Sequence, residues 1–311
     1  MEPDTHRPRW KTLPAFAIIY LVWGSTFLAI RIGVKELPPL LFAAMRFLAA
    51  GIVLFAWTLT HGERLPARRQ WGSIFLLAFL IFVIDYGCLF WAEQRVPSGI
   101  AAVMMATIPL FTALSEILFL RTQRLTVRLV AALLIGLCGV AVLVIRSFNI
   151  GGQPIQPIGA MALVAGSLSW SVASILTRKL PLPESKIMSS GSQMLAGGIM
   201  LTIAAAAFGE FHGFDPLKIS AGAWFALLYL IIAGSIIGFT AYLWLLHHES
   251  PTKVGTYAYV NPVVAVILGY LIGGESLGLR TVLGTLCVLI SVVVITTTRS
   301  KKPAPASKAT A

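Results

Sequence analysis

Within the stretch GSIFLLAFLIFVIDYGCLFW, residues 72–91, Asp85 is the sole charged side chain. Stripping the water from an unpaired carboxylate costs several kcal/mol, so this position asks for a partner or a task. Arg46, in the apolar stretch FAAMRFLAAGIVL, is an opposite charge in equivalent surroundings. The other reactive types assemble nothing comparable. His6, His61, His212, His247 and His248 all fall at or beyond the ends of apolar segments. Adjacent His247 and His248 would point about 100° apart on a helix, a poor metal pair. Hydrolysis or acyl transfer needs a nucleophile held beside a base, and no such combination is legible. Cys88, Cys138 and Cys287 lie in apolar runs at unrelated spacings, which reads as packing rather than a disulfide framework or metal site. With no glycine-rich phosphate loop, coupling to ATP is also disfavoured. The expectation is a protein that is not an enzyme and carries no metal or cofactor.

The elements that must hold Asp85 and Arg46 follow from composition. Of 311 residues, 57% are hydrophobic and 12% charged, with mean hydropathy +0.85. A soluble domain carries about 25% charged residues, so this is an integral membrane protein whose partner is the lipid bilayer. A net charge of +12 would suggest nucleic acid in a soluble chain. Here the basic residues punctuate apolar runs instead of forming a patch, and no nucleic-acid partner is expected. Runs long enough to span number ten: Leu13–Ile32, Pro39–Thr60, Trp71–Trp91, Ser98–Leu120, Thr126–Ile145, Pro157–Thr177, Ser185–Phe208, Ala221–His247, Thr252–Ile272 and Leu279–Thr296. The first has no small-residue cleavage pattern and reads as a retained helix rather than a signal peptide. Connections are short, and only the tail 299–311 reads as disordered.

Positive charge orients the spans. With the N-terminal segment 1–12 in the cytoplasm, 17 of the 24 Lys and Arg fall on that side; Arg31, Lys35, Arg95, Arg146, Lys218 and Arg280 fall opposite, and Arg46 lies within a helix. Both termini are therefore expected inside. The chain also repeats. WGSTFLAIR from Trp23 and WSVASILTR from Trp170 each place an Arg eight residues after a Trp, 147 positions apart. Pro109 aligns with Pro262 and Leu125 with Leu277 at similar offsets. Two units, 13–146 and 157–298, would hold five helices each. An odd number inserts the second unit upside down, the inverted-repeat plan of secondary transporters.

The succession WGSTFLAIRIG, FAAMRFLAAGIVL, VPSGIAAVMMATIPLFTAL, GSLSWS and YAYVNPVVAVILG, followed by GGESL, resembles the drug/metabolite transporter superfamily, and within it the EamA-type ten-helix exporters of bacterial inner membranes, YedA-like branch. The resemblance covers nearly the whole chain. It implies an all-α membrane fold of ten transmembrane helices in two inverted five-helix repeats, and efflux of small metabolites, amino acids or drugs. Two departures stand out: RTQRL replaces a Gly-Glu pair in the first repeat, and Asp85 stands where a neutral polar residue is usual.

Pro109 and Pro262 each fall near the middle of a span, removing a backbone donor and freeing the carbonyls of Met105 and Ala258. Irregular backbone at that depth is tolerated where protein or a water-lined cavity satisfies it, so both are read as helix breaks beside a midplane substrate cavity. At the same level stand Trp23, Thr26, Thr107, Trp170, Ser174, Tyr242, Tyr257 and Asn261. Aromatic surfaces with a few hydrogen-bonding groups suit aromatic, amphipathic or cationic solutes. Asp85 and Arg46 lie roughly 9 and 10 Å below the outer boundary on antiparallel helices. A contact between them as a structural ion pair is one reading. A charge lining the substrate path, meeting a cation or carrying a coupling proton, is the other, and Asp85 reaching the headgroups is a third. Glu116 is expected to snorkel to the inner interface, and Glu93 to sit at the outer rim. Gly234 with Gly238 and Gly269 with Gly273 read as helix-packing seams. The function expected is a secondary transporter, an exporter by alternating access. Uptake or exchange of a polar metabolite by the same fold is the alternative, and a channel is harder to separate.

Overall fold

The computed structural model describes residues 9–95, 101, 104–120, 126–144, 157–264 and 279–297, and among these the ordered structure is helical throughout. In chain order the helices are α1 (Arg9–Gly33), α2 (Pro39–Thr60), α3 (Arg68–Glu93), α4 (Ile108–Leu120), α5 (Val127–Val144), α6 (Pro157–Leu176), α7 (Lys186–Ala207), α8 (Ala221–His248), α9 (257–264) and α10 (Leu279–Thr297). Five of them, α1, α2, α3, α7 and α8, are long and apolar enough to cross a membrane, and Ile108–Leu120, Val127–Gly139, Met161–Leu176 and Val282–Ile295 are shorter apolar helices. Large apolar side chains face outward, among them Ile52, Val53 and Trp57 on α2 and Phe225 on α8. Water would not tolerate so continuous an apolar exterior; hydrocarbon does.

Local chemistry sets several ends. Pro39 opens α2, where a missing amide proton costs nothing. The Ser185 and Ser220 hydroxyls accept from the amides of Met188 and Ala223 at 3.2 Å each, capping α7 and α8. Three helices change pitch, α4 over its last five residues, Glu116–Leu120, and two others midway. Residues Phe79–Tyr86 of α3 and Leu230–Ile237 of α8 wind as wide, π-type turns, eight residues each. Such turns swing side chains out of the ordinary 100° sequence and concentrate at functional sites.

α2 lies along α7 and α5 along α10; α1 packs on α8 and α6 on α3; α2 also meets the wide part of α8, as α7 meets that of α3. The α2–α7 seam is antiparallel and glycine-dependent. A Cβ on Gly51 would fall 2.5 Å from the Leu195 nitrogen, and one on Gly198 would fall 2.7 Å from the Leu48 nitrogen, so only glycine permits this backbone approach. Two apolar cores result. The larger gathers α1, α2, α3, α6, α7 and α8. The smaller joins α4, α5, α9 and α10, where Tyr259 donates to the Leu133 carbonyl at 3.0 Å and Ser291 to that of Ala132 at 2.6 Å.

The fourth span is interrupted rather than continuous. A turn at Ala106–Thr107 precedes Ile108, and Pro109 takes the second position of the renewed helix, where its lost donor is harmless. In the ninth span the interruption lies at Gly255–Thr256, after the short turn Pro251–Val254, while residues 257–264 run helically through Pro262. Pro262 is thus not itself a break within the described residues, although the interruption ahead of it lies 149 positions after that at Ala106–Thr107, close to the offsets of the sequence repeat. Gly269, Gly273 and the remainder of the expected ninth span lie outside the described residues.

Candidate substrate site

Trp23 of α1 packs among three other aromatic rings. Its ring centroid lies 5.5 Å from that of Trp170 on α6, 5.2 Å from Tyr242 on α8 and 4.8 Å from Tyr257 on α9. Its Nε1 donates to the Gly234 carbonyl at 2.9 Å. That bond fixes the ring and satisfies a carbonyl in the wide part of α8. Gly238 permits the approach, since a Cβ there would stand 2.4 Å from Trp23 Nε1. Trp170 packs 4.9 Å from Tyr242 and 5.9 Å from Tyr86 of α3. The Ser174 and Tyr242 hydroxyls are hydrogen-bonded to each other, and Ser174 also donates to the Trp170 carbonyl at 2.7 Å. Four helices therefore each bring one aromatic ring to one point.

Beside these rings is a cavity of about 30 Å³, with Trp23, Thr26, Asp85, Trp170, Tyr257 and Asn261 in its lining. Asp85 is 2% exposed and Asn261 5%. Asp85 Oδ1 and Asn261 Oδ1 are both buried without a hydrogen-bond partner. Thr26 turns its hydroxyl to the Trp23 carbonyl at 2.7 Å. Arg46, Thr107, Ser174 and Tyr242 stand outside the lining. Thr107 is spent on its own chain break, where its hydroxyl donates to the Met104 carbonyl at 2.6 Å.

The expected contact between Asp85 and Arg46 does not form. Arg46 Nε donates to Ser235 Oγ on α8 at 2.8 Å, and the guanidinium lies 4.7 and 5.1 Å from the ring centroids of Phe47 and Tyr86. Asp85 instead packs against α6, where a Cβ on Gly166 would come within 3.1 Å of Asp85 Oδ1. A rise of about 1.5 Å per residue gives depth along a helix and says nothing of the direction around it. Azimuth separates the two, because Asp85 sits in the wide turns of α3 and faces α6 rather than α2. Nor does Asp85 reach the headgroups: it is enclosed in the core.

Two other carboxylates also differ from expectation. Glu116 is fully buried rather than snorkelling, and its Oε2 accepts from the Thr252 amide at 3.1 Å and hydroxyl at 2.6 Å, tying α4 to the α8–α9 corner. Glu93 is 2% exposed and lines a separate 180 Å³ cavity with Arg31 and Lys35.

Sequence reasoning did not single out Phe27, Ile30 or Tyr86, which also line the aromatic cavity. The spacing of Trp23, Phe27 and Ile30 on one helical face would have found the first two. Tyr86 follows Asp85 directly, and ordinary helix geometry would have turned it away. Ser169 and Ser171 of α6 were also missed. Ser169 Oγ donates to the Leu80 carbonyl at 2.8 Å, inside the wide turns of α3, and Ser171 Oγ to the Ile108 carbonyl at 3.2 Å, beside the break in α4. They stitch α6 to two of the helices with irregular backbone. Ser169→Ala should lower thermal stability by about 1 to 2 kcal/mol and reduce ligand affinity; unchanged melting would remove Ser169 from this role.

A family model described as the EamA-like transporter family matches residues 10–145 and again 157–297. The chain is 40% identical over 290 residues to the uncharacterized inner membrane transporter YedA of Escherichia coli K12, covering 91% of each. It is 26% identical over 276 residues, 88% of each chain, to protein PecM of Dickeya dadantii. One solved crystal structure superposes with a TM-score of 0.73 at 23% identity, over 92% of this chain and 97% of that one.

Proposed function

Because this chain belongs to the EamA-like transporter family, we propose that it is a multi-pass secondary carrier of the bacterial inner membrane. In this reading it exports small metabolites, amino acids or drugs by alternating access through the aromatic cavity. The observation that carries the reading is that cavity itself. It is polar at two points, lined from α1, α3, α4, α6 and α9, and only about 30 Å³ in volume, so it must widen to admit a solute.

Ten spans in two inverted repeats provide the movement. The double match of one family model supports two units. So do the wide turns of α3 and α8, which begin 151 positions apart, close to the sequence offsets. The packing pairs support them as well: exchanging each helix of α1–α5 with its counterpart in α6–α10 turns α1–α8 into α6–α3 and α2–α8 into α7–α3.

Cross-unit clasps stand at both ends. At one, Glu36 accepts from the Ser220 amide and hydroxyl, both at 2.7 Å, and Glu210 Oε2 accepts from the Leu41 amide at 2.8 Å. Each carboxylate thereby sits at the positive N-terminus of a helix in the other unit. The Ser220 amide, then its hydroxyl, hold the Glu36 carboxyl below its ordinary value. This clasp is therefore complete at neutral pH and is lost only as pH falls through that lowered value. At the other end Glu116 holds Thr252. Nearby is a recess of about 310 Å³, lined in part by Arg178, Lys186 and His247. The excess of basic residues on one side of the expected topology supports both termini lying in the cytoplasm. Releasing one end at a time is alternating access, and a coupling proton would ride on Asp85.

Purified protein in liposomes should show saturable flux and counterflow of a carried solute. Linear flux without counterflow would make it a channel. Net accumulation driven inward under physiological gradients would favour the uptake reading of the same fold.

A further inference from the structure

We propose that the cavity selects an organic cation with an N–H donor, an ammonium whose head lies between Asp85 and Asn261 against the tryptophan and tyrosine rings. The proposal rests on the carrier reading of this cavity and adds the chemical class of its ligand.

Two acceptors, Asp85 Oδ1 and Asn261 Oδ1, are buried without partners in the lining of one cavity. Native proteins seldom leave buried acceptors unpaired, so the pair calls for a ligand that donates. The charge of Asp85 narrows the choice. No Lys, Arg or His lines this cavity, and the nearby guanidinium of Arg46 is engaged with Ser235 and two aromatic rings. A buried carboxylate without a resident counter-charge favours a cation and repels an anion. The walls agree with that sign. Trp23 meets Trp170 and Tyr257 edge-to-face, both at 81°, forming aromatic corners of the kind that attract ammonium groups. The space is also of the right scale. A space of about 30 Å³ exceeds what one water needs and admits a small polar head such as –NH3⁺. The apolar body of the ligand would occupy space opened by rearrangement of the units.

Calorimetry on the purified full-length protein in detergent tests this with three probes: benzylamine at pH 7, where it is benzylammonium, its neutral isostere benzyl alcohol, and benzyltrimethylammonium, which has no N–H. Benzylammonium is expected to bind about tenfold or more tightly than either of the others, the discrimination of a charge-assisted hydrogen bond. In Asp85→Asn, checked for folding by thermal melting, the preference over benzyl alcohol should vanish. Equal affinities of all three probes for the wild type overturn the proposal without recourse to any variant. So does a folded Asp85→Asn protein that keeps the preference. Equal binding of benzyltrimethylammonium alone overturns the N–H requirement. Because binding is read in detergent, the two readings fail separately. Counterflow of neutral solutes with no preference for ammonium sinks the ligand class and leaves a carrier, whereas selective ammonium binding without saturable flux sinks the carrier and leaves the site.

Discussion

Asp85→Asn should melt at a higher temperature than the wild type, by the equivalent of about 1 to 3 kcal/mol, while losing transport. The gain follows from geometry. Asp85 is buried, its Oδ1 has no partner, and it forms no ion pair with Arg46. Asparagine keeps the shape and removes the cost of a desolvated, uncompensated charge. Arg46→Gln, by contrast, should destabilise, because it takes the donor from Ser235 and the cation from the faces of Phe47 and Tyr86. The double variant should show close to the sum of the two effects. A contact pair would behave oppositely. Each single substitution would cost about 3 to 5 kcal/mol and the double variant would recover most of it. Recovery in a double-mutant cycle of thermal stability would therefore refute the arrangement described here. Stability given up at Asp85 is what a binding site costs when its ligand is absent.

Removing the Trp23 side chain should be strongly destabilising. The ring is 4% exposed and touches three other aromatic rings. Trp23→Ala should lose about 3 to 5 kcal/mol, the usual cost of emptying an aromatic core position, and abolish transport. Trp23→Phe retains much of the packing but leaves the Gly234 carbonyl without its donor, at about 1 to 2 kcal/mol. Gly238→Ala attacks the same contact from the other side, since its methyl would need the place of Trp23 Nε1. Combined with Trp23→Phe, it should cost less than the sum, because the indole nitrogen it displaces is already gone. Strict additivity in melting experiments would mean that the two helices do not meet as described.

Much of this protein was legible because membrane insertion is governed by local quantities. The apolar run Pro39–Thr60 is α2 to the residue, and Ala221–His247 falls one residue short of α8. Hydrocarbon demands about 20 apolar residues whatever the neighbours are. α1 begins before its apolar run, at Arg9, because charged residues continue a helix beyond the hydrocarbon without penalty. The conjunction of Trp23, Trp170, Tyr257 and Asn261 was legible for a similar reason: depth converts to residue count at a fixed rise, and the repeat names the counterpart.

What depth could not supply was direction around each helix axis, and there the tertiary structure decided. Residue spacing puts Arg46 and Asp85 at one level, yet one faces α8 and the other α6, because the wide turns of α3 break the rotational register that such spacing assumes. Glu116 reads as an interfacial charge until α4 and the α8–α9 corner are brought together and Thr252 supplies two donors. The serines of α6 look like small packing residues until the carbonyls they satisfy have been freed in α3 and α4. The sequence by itself determined that the chain lies in a membrane, where its long apolar helices run and which charged side chains fall within them. Those are properties of single segments in a uniform solvent. Which of these groups touch, and which are left waiting for a ligand, depends on helix rotation and on backbone irregularity, and both are settled only when one helix packs against another.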